Sequence, residues 1–146
     1  MSEASLEGSS FVGANVCEAR LDRAELSQCD LSKSKFDGSA MNHVTLTDAQ
    51  CLEAQMYRVV LTGATIARTS FVKAVLQSSQ LDGVVGSNID FSEARLAAAN
   101  FTGSELTAVK FVGADLRAAN FSNATLIDVD FTGAILSSEY HYPSFY

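Results

Sequence analysis

Residues 111–121 read FVGADLRAANF, with a large apolar residue at every fifth place, as Phe111, Leu116 and Phe121. A small residue, Ala114 or Ala119, stands two places before Leu116 and Phe121. An amphipathic helix repeats near 3.6 residues and a half-buried strand at 2, so a period of five belongs to neither. The register extends outward from this stretch in both directions. From Leu6 to Leu136 there are 27 such positions, and only Gly86 is not apolar. They hold eight of the nine phenylalanines and 13 of the 14 leucines. The positions two places earlier hold 14 alanines, five serines and five valines, with Cys29, Thr69 and Ile89. Neither set contains a charged residue.

The glycines give an independent reading of the same phase. Gly8, Gly13, Gly38, Gly63, Gly83, Gly103, Gly113 and Gly133 each lie two places after a central residue, and Gly86 does not. Glycine at one fixed phase predicts a corner that needs a positive φ, or a backbone too crowded for a Cβ. Each five-residue unit is then one short straight segment and one corner. Such a unit cannot bury its own side chain, so the units must coil and stack, with successive coils about 4.8 Å apart as in any β-ladder. One large and one small inward side chain per unit require a narrow coil.

ADLRAANFSNATL (114–126) and FTGAIL (131–136) resemble the pentapeptide-repeat proteins, whose consensus is A(D/N)LXX. The resemblance covers residues 4–136. It implies an all-β fold, a right-handed quadrilateral β-helix in which four pentapeptides make each coil. This chain would then form between six and seven coils, a rod roughly 30 Å long. Residues 1–136 would be the β-helix and 137–146 an aromatic C-terminal cap or tail.

A coil of four pentapeptides sorts the core into columns. Phe11, Leu31, Cys51, Phe71, Phe91, Phe111 and Phe131 share one wall, where aromatic stacking is expected and Cys51 is a core filler. Leu6, Leu26, Leu46, Ile66, Gly86, Leu106 and Leu126 share another. Gly86 leaves a hole there, which the unusually large Ile89, helped by Val84, would refill. The alternative is a bulge within residues 82–90, where the coil is expected to be least regular.

Composition narrows the function. The 146 residues suggest one domain, and the net charge of −7 argues against direct nucleic-acid or anionic-membrane binding. There is no 18-residue apolar run and no signal-peptide pattern at the N-terminus. Cys17, Cys29 and Cys51 follow no paired or metal-type spacing, and reduced thiols in a cytoplasmic protein are expected. His43 falls in a corner phase and His141 in the tail, and neither has a partner at ligand spacing. Asp128 and Asp130 would face different walls. A rod filled with Leu, Phe and Ala offers no concave site, so no catalytic, metal or cofactor-binding residue is assigned and no enzyme is expected.

What remains is surface. Units centred on Leu6 and its successors carry Glu7, Glu25, Asp48, Glu105 and Asp128 against Arg68, a net charge of −4 and the most acidic wall. Leu52 and Val72 occupy the outward phase of the Phe11 wall, in a row with Val12 and Val112. Tyr57 and Val75 lie on the adjoining wall centred on Val16, and the four form a candidate apolar interaction patch. The tail adds Tyr140, Tyr142, Phe145 and Tyr146, which suit a cap over the last coil or a homodimer contact through a coil end.

The expected function is a non-enzymatic scaffold that binds another protein through its flat faces. The resemblance supplies a sharper alternative. One branch of the family protects type II topoisomerases, DNA gyrase and topoisomerase IV, from quinolones by imitating duplex DNA. Duplex DNA carries a phosphate about every 1.7 Å, and five acidic residues along a rod of roughly 30 Å fall short of that density. A third reading is a structural module of a larger bacterial effector or delivery system.

Overall fold

The corners come first, because they dictate everything else. Residues 3–136 are described by a computed structural model. In it, the backbone turns into the left-handed region at every corner position from Glu3 to Gly133, with φ between 49° and 68°. Eight of these corners are glycine, as their phase predicts, and 19 are not. Positive φ costs an L-residue energy. The stacked coils impose it regardless, with Lys33, Glu53, Lys73 and Glu93 at one row of corners. Most corners are closed by a short turn, in which the N–H of the inward small residue donates to the carbonyl of the central residue. Ala24 N to Leu21 O (3.0 Å) and Ala114 N to Phe111 O (3.0 Å) are examples.

Between corners the chain pairs only with the coils before and after it. Every β-bridge is parallel and joins equivalent residues of adjacent coils, as in Ser10↔Asp30↔Gln50↔Ser70↔Asp90↔Lys110↔Asp130. The central N–H donates to a carbonyl of the next coil, as Leu26 N to Thr45 O (2.9 Å). The N–H before it reaches back to the preceding coil, as Glu25 N to Ala4 O (2.9 Å). One turn of the solenoid thus takes four pentapeptides and four corners. On the Leu6 wall the extended stretch lengthens into strands β1 (Thr45–Thr47), β2 (Thr65–Ala67), β3 (Val85–Ser87), β4 (Glu105–Thr107) and β5 (Thr125–Ile127). They form one parallel sheet in the order β1-β2-β3-β4-β5. The fold is an all-β parallel solenoid.

The core fills the coil with the two inward side chains of each unit. Leu21, Leu26, Leu31, Phe36, Met41, Leu46 and Cys51 have no solvent exposure, and Ala24, Ala49 and Ala54 sit buried between them. Each large apolar side chain buried in this way contributes about 1.5–3 kcal/mol. Phe71, Phe91, Phe111 and Phe131 stack face to face, with ring centres 5.0, 5.2 and 5.3 Å apart. Phe101 and Phe121 form a second stack at 4.8 Å, and its rings meet the first edge-on. Cys51 lies within the core, as its phase requires, and burial pushes its thiol far above the ordinary range. A few inward polar groups supply bonds across coils. The Thr69 hydroxyl donates to Leu46 O at 2.7 Å and the Ser39 hydroxyl to Val16 O at 2.8 Å.

The coil at residues 82–90 is not irregular. Ile66 pairs with Gly86, and Gly86 with Leu106, in unbroken register. The reason is volume. A Cβ built on Gly86 would lie 2.5 Å from Cδ1 of Ile89, so the isoleucine already fills the place of the missing side chain. With the hole refilled, no bulge is needed.

Candidate interaction surfaces

The outward side chains stand in rows, because each coil repeats the last in strict register. Three rows face outward on every wall: the residue before the central one, the residue after it, and the corner.

On the acidic wall the charges do not form a continuous line. Arg68 donates to Asp48 through Nε (2.7 Å) and Nη2 (2.8 Å), a two-point pairing that neutralises the middle of the wall. These bonds hold the Asp48 carboxyl below the usual carboxylate range. Glu7 accepts from Gln28 Nε2 at 3.2 Å, and Glu25 from the Ser27 hydroxyl at 3.3 Å. Glu105 and Asp128 lie beyond the paired middle. Four coils separate Glu25 from Glu105, about 19 Å at the β spacing. The wall therefore holds two acidic ends around a neutral centre, where a duplex-like strip would need unbroken charge.

The apolar patch is divided by a corner. Leu52 (38 % exposed) and the half-buried Val72 are stacked neighbours on the Phe11 wall. Tyr57 (40 % exposed) and the half-buried Val75 lie on the next wall, with the exposed corner residues Glu53 and Lys73 between the two pairs. The Arg58 guanidinium lies 5.0 Å from the centre of the Tyr57 ring, a cation–π contact. The Tyr57 backbone N–H donates to Asp37 Oδ1 at 2.8 Å, which ties its position to the preceding coil. Sequence reading missed Arg58. Adjacency to Tyr57 was visible, but the side-chain direction that places a cation over the ring was not.

The adjoining wall also carries Arg95 and the Arg117–Asp115 pair. Arg117 donates to Asp115 through Nε (2.9 Å) and Nη2 (2.7 Å), and this pulls the Asp115 carboxyl down. The wall centred on Leu21 is polar and uncharged over much of its length, with Thr62 donating to Asp82 at 2.9 Å. Asn42 Nδ2 donates to Asp22 at 2.7 Å and lowers the Asp22 carboxyl. His43 stands at a corner of this wall with its ring over Gly63. Among the described residues no group of His, Cys, Asp and Glu is arranged to hold a metal ion. Among them, no helix is long and apolar enough to cross a membrane. Tyr140, Tyr142, Phe145 and Tyr146 lie outside the described residues.

No curated protein matches the chain in sequence. Many solved structures are similar to it, among them the following three, which align over most of its length. HetL, a pentapeptide-repeat protein involved in heterocyst differentiation regulation in Nostoc sp. strain PCC 7120, is 16 % identical over 97 % of this chain and 91 % of its own, with a TM-score of 0.31. QnrB1, a plasmid-mediated fluoroquinolone resistance protein, is 19 % identical over 94 % of this chain and 79 % of its own, with a TM-score of 0.33. A pentapeptide-repeat protein of the Arabidopsis thaliana thylakoid lumen is 21 % identical over 94 % and 72 %, with a TM-score of 0.34. The family model for pentapeptide repeats matches eight copies, across residues 1–38, 24–63, 69–107 and 99–137. With the five-residue corners and the coil-to-coil ladder, this match is decisive, and the chain belongs to the pentapeptide-repeat family.

Proposed function

We propose that this protein is a non-enzymatic scaffold, a right-handed four-sided helix of between six and seven coils that binds another protein through one wall. The binding face is the wall of Tyr57, Arg58 and Val75. The observation that carries this reading is the exposed Tyr57 ring beneath the Arg58 guanidinium. Tyrosine and arginine are among the residues that most often dominate binding energy, and here both are held on a rigid backbone. The solenoid core is packed with side chains and leaves the outside as the working surface. Buried, unpaired Cys29 and Cys51 suit a reducing compartment such as the cytoplasm.

The test is site-specific photocrosslinking in cells of the source organism, with the crosslinker at position 57 and, as a control, at position 102 on another wall. A discrete adduct at position 57, lost on Arg58→Ala, supports the reading. No adduct, or equal adducts at both positions, overturns it. Imitation of DNA toward gyrase is the reading that the divided acidic wall weakens. Titration into a gyrase supercoiling assay separates the two, because an inhibitor that loses activity on neutralising Glu25, Glu105 and Asp128 would displace the scaffold reading.

A further inference from the structure

The outward rows of the Phe11 wall have a symmetry that the other walls lack. Over the first six coils, the row after the central residue reads Val12, Ser32, Leu52, Val72, Ser92, Val112. It is a palindrome about the midpoint between Leu52 and Val72, with one aliphatic pair at the centre, serines next and valines outside. The corner row reads Gly13, Lys33, Glu53, Lys73, Glu93, Gly113. About the same midpoint it is antisymmetric in charge, so Lys33 answers Glu93 and Glu53 answers Lys73. Thr132 and Gly133 continue the two rows past the symmetric stretch. The backbone locks the rows together. The corner N–H of each coil donates to the outward residue's carbonyl in the next: Gly13 to Ser32, Lys33 to Leu52, Glu53 to Val72, Lys73 to Ser92 and Glu93 to Val112, at 2.8–3.1 Å. The four charged corners are exposed, and Lys73 Nζ lies 3.7 Å from Glu93 Oε2. Among the described residues no other wall has a corner row of alternating charge.

We infer that the Phe11 wall is a docking surface for a second copy of this chain, related by a two-fold axis lying in the interface and parallel to the strands. That operation reverses the rod axis and lays each row on its own reverse. An isologous contact must match a surface to itself, and a palindromic apolar row beside a charge-antisymmetric row does so. Leu52 then meets the partner copy's Val72, and Glu53 meets the partner copy's Lys73, with both contacts made twice. Lys33 and Glu93 pair at the outer coils. Removing Leu52 and Val72 from water supplies apolar area, while the four ion pairs choose the antiparallel orientation.

The row before the central residue, Ser10, Asp30, Gln50, Ser70, Asp90 and Lys110, sets Asp30 opposite Asp90 as its one like-charged match. Both carboxylates are turned back onto their own loops, accepting from Ser32 N at 3.0 Å and Ser92 N at 2.9 Å. One wall of six coils is a small interface, so the dimer is reversible and forms as concentration rises.

The test is sedimentation velocity on the whole chain at low salt, from about 10 μM to about 1 mM. The wild type is expected to pass from monomer to dimer across this range. Lys73→Glu alone and Glu53→Lys alone each place like charges at both central contacts and weaken association by roughly tenfold. An equal mixture of the two variants restores opposite charge at both contacts and associates as the wild type does. Circular dichroism of each variant at low concentration confirms that it is folded. A wild type that stays monomeric throughout, a dimer indifferent to both swaps, or a mixture no stronger than its components would each overturn the proposal. Position 57 lies on the adjoining wall, so this experiment and the crosslinking experiment fail independently.

Discussion

Cδ1 of Ile89 occupies the space that a side chain on Gly86 would need, 2.5 Å from the Cβ that such a residue would carry. The largest residue in any small slot thus stands beside the one gap among the large slots, and the two exceptions cancel.

Gly86→Leu is expected to destabilise by about 1–3 kcal/mol, because it overfills a packed layer. Ile89→Ala should cost about 2–5 kcal/mol by opening a cavity. Combined, the leucine refills the space that the isoleucine vacated, and the loss should fall well below the sum of the two. A double-mutant cycle in urea measures this coupling. Additive losses would show that the two side chains do not share one space.

Phe91 is packed between Phe71 and Phe111 and touches Phe101 edge-on at 6.1 Å. Phe91→Ala is expected to cost about 3–5 kcal/mol, since flat stacked neighbours cannot collapse into the gap. Denaturant midpoints at unchanged slope are the measurement, and a near-zero change would refute the five-residue register itself.

Ala118 holds a φ of 58° that an L-residue adopts at a cost of roughly 1–2 kcal/mol. Glycine removes that strain but adds about 0.4–1 kcal/mol of chain entropy to the unfolded state. Ala118→Gly is therefore expected to stabilise by about 0.5–1 kcal/mol. Gly103→Ala should do the reverse by a similar amount. Nothing lies within 4 Å of the Cβ that Gly103 would gain, so no steric clash adds to the strain. Opposite shifts in thermal midpoint would establish the corner conformation.

Ser104 and Thr69 are both buried, but only one hydroxyl is bonded to protein. Thr69 donates to Leu46 O, whereas no protein group bonds Ser104 Oγ. Ser104→Ala is expected to leave stability unchanged or raise it by about 1 kcal/mol, because the hydroxyl lacks a protein partner. Thr69→Val strands the Leu46 carbonyl and should lower stability by about 1–3 kcal/mol. Calorimetry of the two variants distinguishes them by sign.

The five-residue unit was legible from Phe, Leu and Ala alone, and the corner conformation from the glycine phase. The number of units per coil was not, because a period of five is silent on how many straight segments close a turn. The family resemblance supplied four, and the ladder Ser10↔Asp30↔Gln50 bears that out. The regular coil at Gly86 was half legible. Ile89 was recognised as a filler, but whether it reached the gap depended on a rotamer. The neutralised centre of the acidic wall was half legible, since Asp48 and Arg68 were placed one coil apart on one wall, but the two-point bond between them depends on the arginine's torsions. Arg58 over Tyr57 depends on side-chain torsions and left no trace in the sequence.

A stack of identical coils has an intrinsic weakness as a recognition element. Its surface looks almost the same after a shift of one pitch, so a partner lying along it can slide. In the antiparallel pairing proposed above, the corner row of Lys33, Glu53, Lys73 and Glu93 would restrict that freedom. A displacement of one coil, about 4.8 Å, brings three of the four charged corners against their own sign. In the proposed pairing the alternation acts as a detent, since a one-coil slip sets like charges together and a two-coil slip keeps only two of the four ion pairs.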